Sequence, residues 1–110
     1  MSLPLNIYQR LVGIVSTTPE IIYTTPIGYT AVVLMGQVAN IGTNTEEVLF
    51  SYVDLTTTST EIVPNSPVSS NDTIKLITGK LFVLNGESLK LSGSNGIDLK
   101  YTFSILETLN

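Results

Sequence analysis

Few residues in this chain of 110 could carry enzyme or metal chemistry. Cysteine and histidine are absent, so the common nucleophile–base pairs and the usual zinc or copper ligand sets cannot form. Serine–lysine or paired-carboxylate chemistry remains open in principle. Glu46 and Glu47 are adjacent, but neighbouring side chains in a strand point to opposite faces, so they cannot work as a pair there. The sequence predicts no catalytic residue and no enzymatic activity.

One short stretch offers oxygen ligands for a cation. Asp72 follows Ser69, Ser70 and Asn71, which superficially suits calcium. A calcium loop normally draws six or more oxygens, with several carboxylates among them, and this stretch has one carboxylate. An ordinary turn is therefore favoured, and we predict no metal site and no cofactor.

The charged and aromatic residues favour structural roles. The formal net charge of −4 argues against nucleic acid, which demands clustered lysine and arginine. Lysines occur singly near predicted turns, as expected of charges that discourage wrong strand pairing. The five tyrosines could line a sugar-binding platform, but such sites usually use tryptophan as well and this chain has none. A core or interface role is favoured for the tyrosines on apolar faces.

The sequence also suggests where the protein is made. No basic leader precedes an apolar core at the N-terminus, so we expect no secretory signal peptide. No run approaches the roughly 18 apolar residues of a membrane helix, so no membrane association is expected. Without cysteine no disulfide forms, and stability has to come from packing, hairpins or oligomerisation. We expect synthesis and folding in a cytoplasm.

Short apolar segments separated by turn residues predict the fold. No segment has a convincing period of 3.6 residues, and several short strands with frequent turns indicate an antiparallel sandwich or barrel. Residues 1–6 are predicted to be a tail and residues 7–110 a single all-β domain, an antiparallel, jelly-roll-like β-sandwich. The eight or nine predicted strands cover residues 7–15, 20–24, 29–41, 46–55, 61–63, 73–77, 80–84, 87–92 and 97–106.

Turn signals suggest which strands pair. Residues 42–45 suit a hairpin that pairs residues 46–55 with the preceding strand, and Asn85-Gly86 and Asn95-Gly96 are type I′ signals. Residues 81–106 would then form a three-stranded meander. The polar segments 56–60 and 64–72 are predicted to be rim loops, and residues 107–110 a short tail. Gly13 indicates either a bulge or a close backbone approach.

The chain is organised around residues 29–41, the longest apolar run. Alternation places Tyr29, Ala31 and Val33 on one face, continuing through Met35, Ala39 and Ile41. The opposite face carries Val32, Leu34, Gly36 and Val38. A strand that is apolar on both faces must be covered on both, and a two-layer domain of this size has little material for a second cover. We therefore expect a homo-oligomer interface at Val32, Leu34, Gly36 and Val38.

A spaced set of motifs supplies a resemblance. The motifs are Ile22-Tyr23-Thr24-Thr25-Pro26, Gly28-Tyr29-Thr30, Gly36-Gln37-Val38-Ala39-Asn40, residues 47–54, Gly79-Lys80-Leu81, Asn85-Gly86-Glu87-Ser88-Leu89 and Ser104-Ile105-Leu106-Glu107. Over residues 7–110 the chain resembles small virion structural proteins of marine tailed bacteriophages.

The resemblance implies a non-enzymatic β-sandwich of a capsid decoration, fibre or tail. It implies self-assembly, commonly as a trimer, contact with other virion proteins and a place in the virion, and it carries over no functional residue. The alternative is a carbohydrate- or receptor-binding module that contacts a host surface glycan through residues 56–60 and 64–72.

Overall fold

The computed structural model describes residues 6–110, and these residues form nine β-strands and no helix. Most of the predicted tail, residues 1–5, lies outside the described residues. The strands are β1 (Asn6–Ile14), β2 (Glu20–Thr24), β3 (Tyr29–Asn40), β4 (Glu46–Val53), β5 (Ser59–Val68), β6 (Thr73–Lys75), β7 (Leu81–Val83), β8 (Ser88–Gly93) and β9 (Leu99–Leu109).

The strands form two antiparallel sheets. The front sheet has the order β1–β9–β3, and the short strands β6 and β7 both pair with the other edge of β3. The back sheet has the order β2–β8–β4–β5. This arrangement is a jelly roll, and the prediction of an all-β, jelly-roll-like sandwich with eight or nine strands is confirmed.

Most consecutive strands lie in opposite sheets, which overturns the predicted hairpins. Residues 42–45 connect β3 of the front sheet with β4 of the back sheet, so these strands do not pair with each other. Likewise, β7, β8 and β9 form no meander, because β8 pairs with β2 and β4 while β9 pairs with β1 and β3. At Asn85-Gly86 only the glycine has a positive φ, and Glu87 N donates to Leu84 O at 2.9 Å. That pattern suits a type II turn at a sandwich corner and not type I′.

Two segments predicted to be irregular are strands. The edge strand of the back sheet, β5 (Ser59–Val68), contains the predicted strand 61–63 and extends into both predicted rim loops, although Pro64 and Pro67 lie within it. An edge strand tolerates proline, because one side of its backbone has no ladder partner. The last strand begins at Leu99 and runs to Leu109, so Ile97 is exposed in a turn and Glu107 belongs to a strand and not to a tail.

The core lies between the inner faces of the sheets. Phe50 of β4 packs against Phe103 of β9 with ring centroids 5.4 Å apart, which joins the back and front sheets. Tyr101 meets Phe103 edge to face at 5.9 Å. The remaining buried core residues are mostly valine and leucine, with one alanine and one isoleucine: Val15, Ala31, Val33, Val38, Val48, Val68, Leu76, Val83, Leu89, Leu91, Leu99 and Ile105.

Candidate assembly surface

A bulge in β3 decides which side chains of this strand face outward. The pairing of β3 with β9 shifts between Val33 and Met35, so Leu34 is skipped. Before the shift Ala31 and Val33 are buried, and after it Gly36, Val38 and Asn40 are buried. One extra residue reverses the two-residue alternation of a strand, because the side-chain period is two.

The predicted interface set is therefore split between two faces. Val32 and Leu34 point outward, and Leu34 is 41% exposed. Val38 is fully buried in the core, and Gly36 is buried against Phe103. The prediction that all four share one face is wrong, since it assumed an uninterrupted alternation. The bulge also turns Met35 outward. An uninterrupted alternation had placed Met35 on the face opposite to Val32 and Leu34.

An apolar row crosses the whole outer surface of the front sheet. Tyr8 of β1 is opposite Leu106 of β9, Leu106 is opposite Val32 of β3, and Val32 is opposite Phe82 of β7. Tyr8 and Phe82, at the two ends of the row, are mostly exposed. We call the outward surface of the front sheet the front face, which comprises this row with Arg10, Val12, Ile14, Leu34, Met35, Gln37, Ala39, Lys75, Lys100, Thr102 and Ser104.

The edge of the front sheet is interrupted opposite the bulge. β7 pairs with residues 31–33 of β3 and β6 pairs with residues 37–39, so neither strand covers Leu34 and Met35. Residues 76–80 lead from one short strand to the other, and Leu76 N donates to Gly36 O at 2.8 Å. The centre of the front face therefore combines exposed apolar side chains with an incomplete edge.

Two tyrosine–glutamate pairs lie at one end of the sandwich. Tyr23 Oη donates to Glu107 Oε2 at 2.5 Å, and Gln9 Nε2 donates to Glu107 Oε1 at 3.5 Å. Burial raises the pKa of Tyr23, and the Glu107 carboxylate raises it further. Burial also raises the pKa of Tyr52 to about 12, with a contribution from its hydrogen bond to Glu87. Because both carboxyl groups are largely buried and bonded to tyrosine hydroxyls, these pairs hold the fold together.

The described residues do not assemble a metal site. Within residues 6–110, no group of three or more histidine, cysteine, aspartate or glutamate side chains could hold a metal ion. Residues 70 and 71 form a turn, in which Asp72 N donates to Ser69 O and Asp72 Oδ1 accepts from Thr73 N at 2.8 Å. No helix in this part of the chain is long and apolar enough to cross a membrane.

A shallow hollow lies on the outer surface of the back sheet, which we call the back face. Its volume is about 130 Å³. Ser51 and Ser92 line it from neighbouring strands, beside the half-buried Leu49, and Glu61 and Lys90 lie at its sides. Lys90 Nζ donates to Ser59 Oγ at 2.9 Å. No aromatic ring lines the hollow, so it lacks the stacking platform expected of a sugar site.

Comparison with known proteins supports the fold. No family model and no curated protein matches the sequence. A chain from the acidic stable capsid of Helicobacter pylori bacteriophage KHP30 matches the structure with a TM-score of 0.59 and 13% identity, covering 96% of this chain and 89% of that one. A chain from Bacillus endospore appendages, which form a family of disulfide-linked pili, matches with a TM-score of 0.58 and 16% identity, covering 96% and 88%. At these identities the likeness extends to the fold alone.

Proposed function

We propose that this protein is a non-enzymatic structural subunit of a bacteriophage particle that self-assembles through the front face. It would be made in the host cytoplasm and reside in the virion as a capsid, fibre or tail component, as its resemblance to proteins of marine tailed phages implies. The observation that carries the proposal is the uncovered apolar row Tyr8–Leu106–Val32–Phe82, with Leu34 and Met35 beside it.

Leaving this apolar row in contact with water costs free energy. Contiguous exposed apolar surface is unfavourable, and where it spans a whole sheet it usually marks an interaction site. A second copy is a suitable cover, because the chains of similar fold come from assemblies, a phage capsid and a pilus. This chain has no cysteine, so its subunits would be held together without disulfides.

The test is the molar mass in solution, measured by light scattering from about 1 to 100 μM, a range in which typical specific complexes form. We expect a multiple of the 11.9 kDa chain mass, with a trimer as the favoured state. Val32→Asp should weaken association more than about tenfold, because it buries a charge without a partner. The matched control is Ile97→Asp, at an exposed apolar residue outside the front face. A single-chain mass at every concentration would refute the proposal.

The second candidate function, binding of a host glycan or receptor, stays a prediction with less support. Half of the residues assigned to it, 59–60 and 64–68, lie in β5, an edge strand, and not in loops. A glycan array with the wild-type protein tests it directly, and the absence of any bound glycan would count against it.

A further inference from the structure

The front face is basic as well as apolar. Three of the five basic residues, Arg10, Lys75 and Lys100, lie on front-sheet strands at outward positions of the register. Within the described front-sheet strands the only acidic residue is Glu107, which points inward and is buried. The rest of the chain carries two basic residues and all the other acidic ones. The front face and the remaining surface therefore have opposite charge.

This separation of charge disfavours pairing of two front faces. Such an interface would be isologous, with the same patch contributed by both copies. It would bring the cations of both copies around one apolar row with no carboxylate on either side, and like charges brought together at an interface cost free energy. A partner surface that combines small or apolar groups with exposed carboxylates is a better match.

The back face of the same protein has those properties. Glu47 of β4 and Glu61 of β5 are exposed and point outward. Glu47 is adjacent to the core residue Val48, and Glu61 is opposite Ser51, beyond a register shift that separates it from Val63. Between them lie Leu49 and the hollow lined by Ser51 and Ser92. Lys90, the one lysine on this face, is bonded to Ser59. The back face thus offers carboxylates around a shallow recess, opposite in charge to the front face.

We propose that the front face of one copy binds the back face of a second copy, with Arg10 and Lys100 beside Glu47 and Glu61 of that copy. This inference rests on the proposed function and adds the partner surface to it. The contact is heterologous, so a dimer keeps one free face of each kind: the back face of the first copy and the front face of the second. Assembly of this type does not stop at a dimer and ends only in a closed ring or an open filament.

Two variants with reversed charge test the pairing. Arg10→Glu/Lys100→Glu makes the front face acidic, and Glu47→Lys/Glu61→Lys makes the back face basic. All four positions are exposed, so the fold should be kept, and circular dichroism with thermal unfolding checks this for each variant. Light scattering then measures the mass of the wild type, each variant alone and an equimolar mixture of the two variants.

In the heterologous arrangement each variant alone associates at least about tenfold more weakly than the wild type, because equal charges now meet. The mixture recovers assembly in chains, or in rings with an even number of subunits, that alternate the two variants, because every contact between unlike variants again joins opposite charges. If Glu47→Lys/Glu61→Lys alone assembles as the wild type does, the back face is not the partner and this inference falls, while self-association through the front face stands. If the wild type itself has a single-chain mass, the proposed function falls instead.

Discussion

Phe103 of β9 covers Gly36 of β3, and its ring fills the space that a side chain at position 36 would need. The two residues are direct register partners, and a Cβ added to Gly36 would lie 2.6 Å from Phe103 Cε2. Tyr101 covers Gly13 of β1 in the same way, with its Oη 2.8 Å from the position of an added Cβ. The aromatic side chains of β9 thus pack over glycines on both neighbouring strands, which lets two large rings fit between the sheets.

We predict that Gly36→Ala destabilises the protein by about 1–3 kcal/mol, the usual cost of overpacking a core. The added methyl group would push Phe103 against Phe50, which lies 5.4 Å away between ring centroids. The free energy of unfolding is measured by urea titration. Gly96→Ala is the control, because the nearest atom to its added Cβ is at 3.4 Å. Equal stability of the two variants would show that Phe103 does not occupy this space.

Asn40, at the end of β3, ties three segments together. Its Nδ2 donates to Asn44 O at 2.7 Å and to Val68 O at 2.9 Å, and its Oδ1 accepts from Gly42 N at 2.9 Å. We predict that Asn40→Asp, which has the same shape, costs about 3 kcal/mol, because a buried carboxylate oxygen would face two carbonyl oxygens. Asn40→Ala should cost less, since it removes the donor without adding a charge. Urea unfolding at pH 7 measures both, and the reverse order of stability would contradict this role.

The fold class was predictable from the sequence, because alternation and turn residues are local signals. The partner of each strand was not. Asn85-Gly86 marks a turn in the sequence and in the structure, but nothing local distinguishes a hairpin from a corner that crosses to the other sheet. Jelly-roll pairings join residues far apart in sequence, such as Tyr8 and Leu106, and a search for neighbouring hairpins misses them.

Only two of the four predicted interface residues lie on the front face, because a local pattern did not show how the strand is paired. The apolar excess of residues 29–41 pointed to Val32 and Leu34, and both side chains lie on the outer surface of the front sheet. The local signal for the bulge at Leu34 is Gly36, since a glycine inside a strand indicates either a bulge or a close backbone approach, and that signal does not say which residue is skipped. A single unpaired residue moved Val38 from the expected outer face to the core. The basic character of the front face was also hidden, because Arg10, Lys75 and Lys100 are far apart in sequence.

Glu107 depends on Tyr23, because the carboxyl group is almost completely buried between the sheets. We predict that Tyr23→Phe destabilises the protein by about 2–4 kcal/mol, since among residues 6–110 Gln9, at 3.5 Å, would be the one side-chain donor left to Glu107. Glu107→Gln in the Tyr23→Phe background should recover part of the loss, because an uncharged amide costs less to bury. A double-mutant cycle by urea unfolding measures the coupling, and additive effects of the two changes would contradict it.

Stability should fall at alkaline pH because of the same tyrosines. Both Tyr23 and Tyr52 have a pKa above the ordinary value of 10, and that of Tyr52 is about 12. The unfolded chain loses these protons near pH 10 while the native state keeps them, so their contribution is complete below pH 10 and is lost as pH rises toward 12.

The measurement is the free energy of unfolding at several values from pH 8 to pH 12, made in the Val32→Asp background so that association does not contribute. Tyr23→Phe/Tyr52→Phe in that background is the comparison, because it removes only these two hydroxyl groups and keeps every lysine and Tyr101, whose pKa is also raised by burial. We expect a shallower fall of stability above pH 10 in the comparison variant than in its parent. Equal slopes would mean that the two tyrosines keep ordinary pKa values in the folded protein.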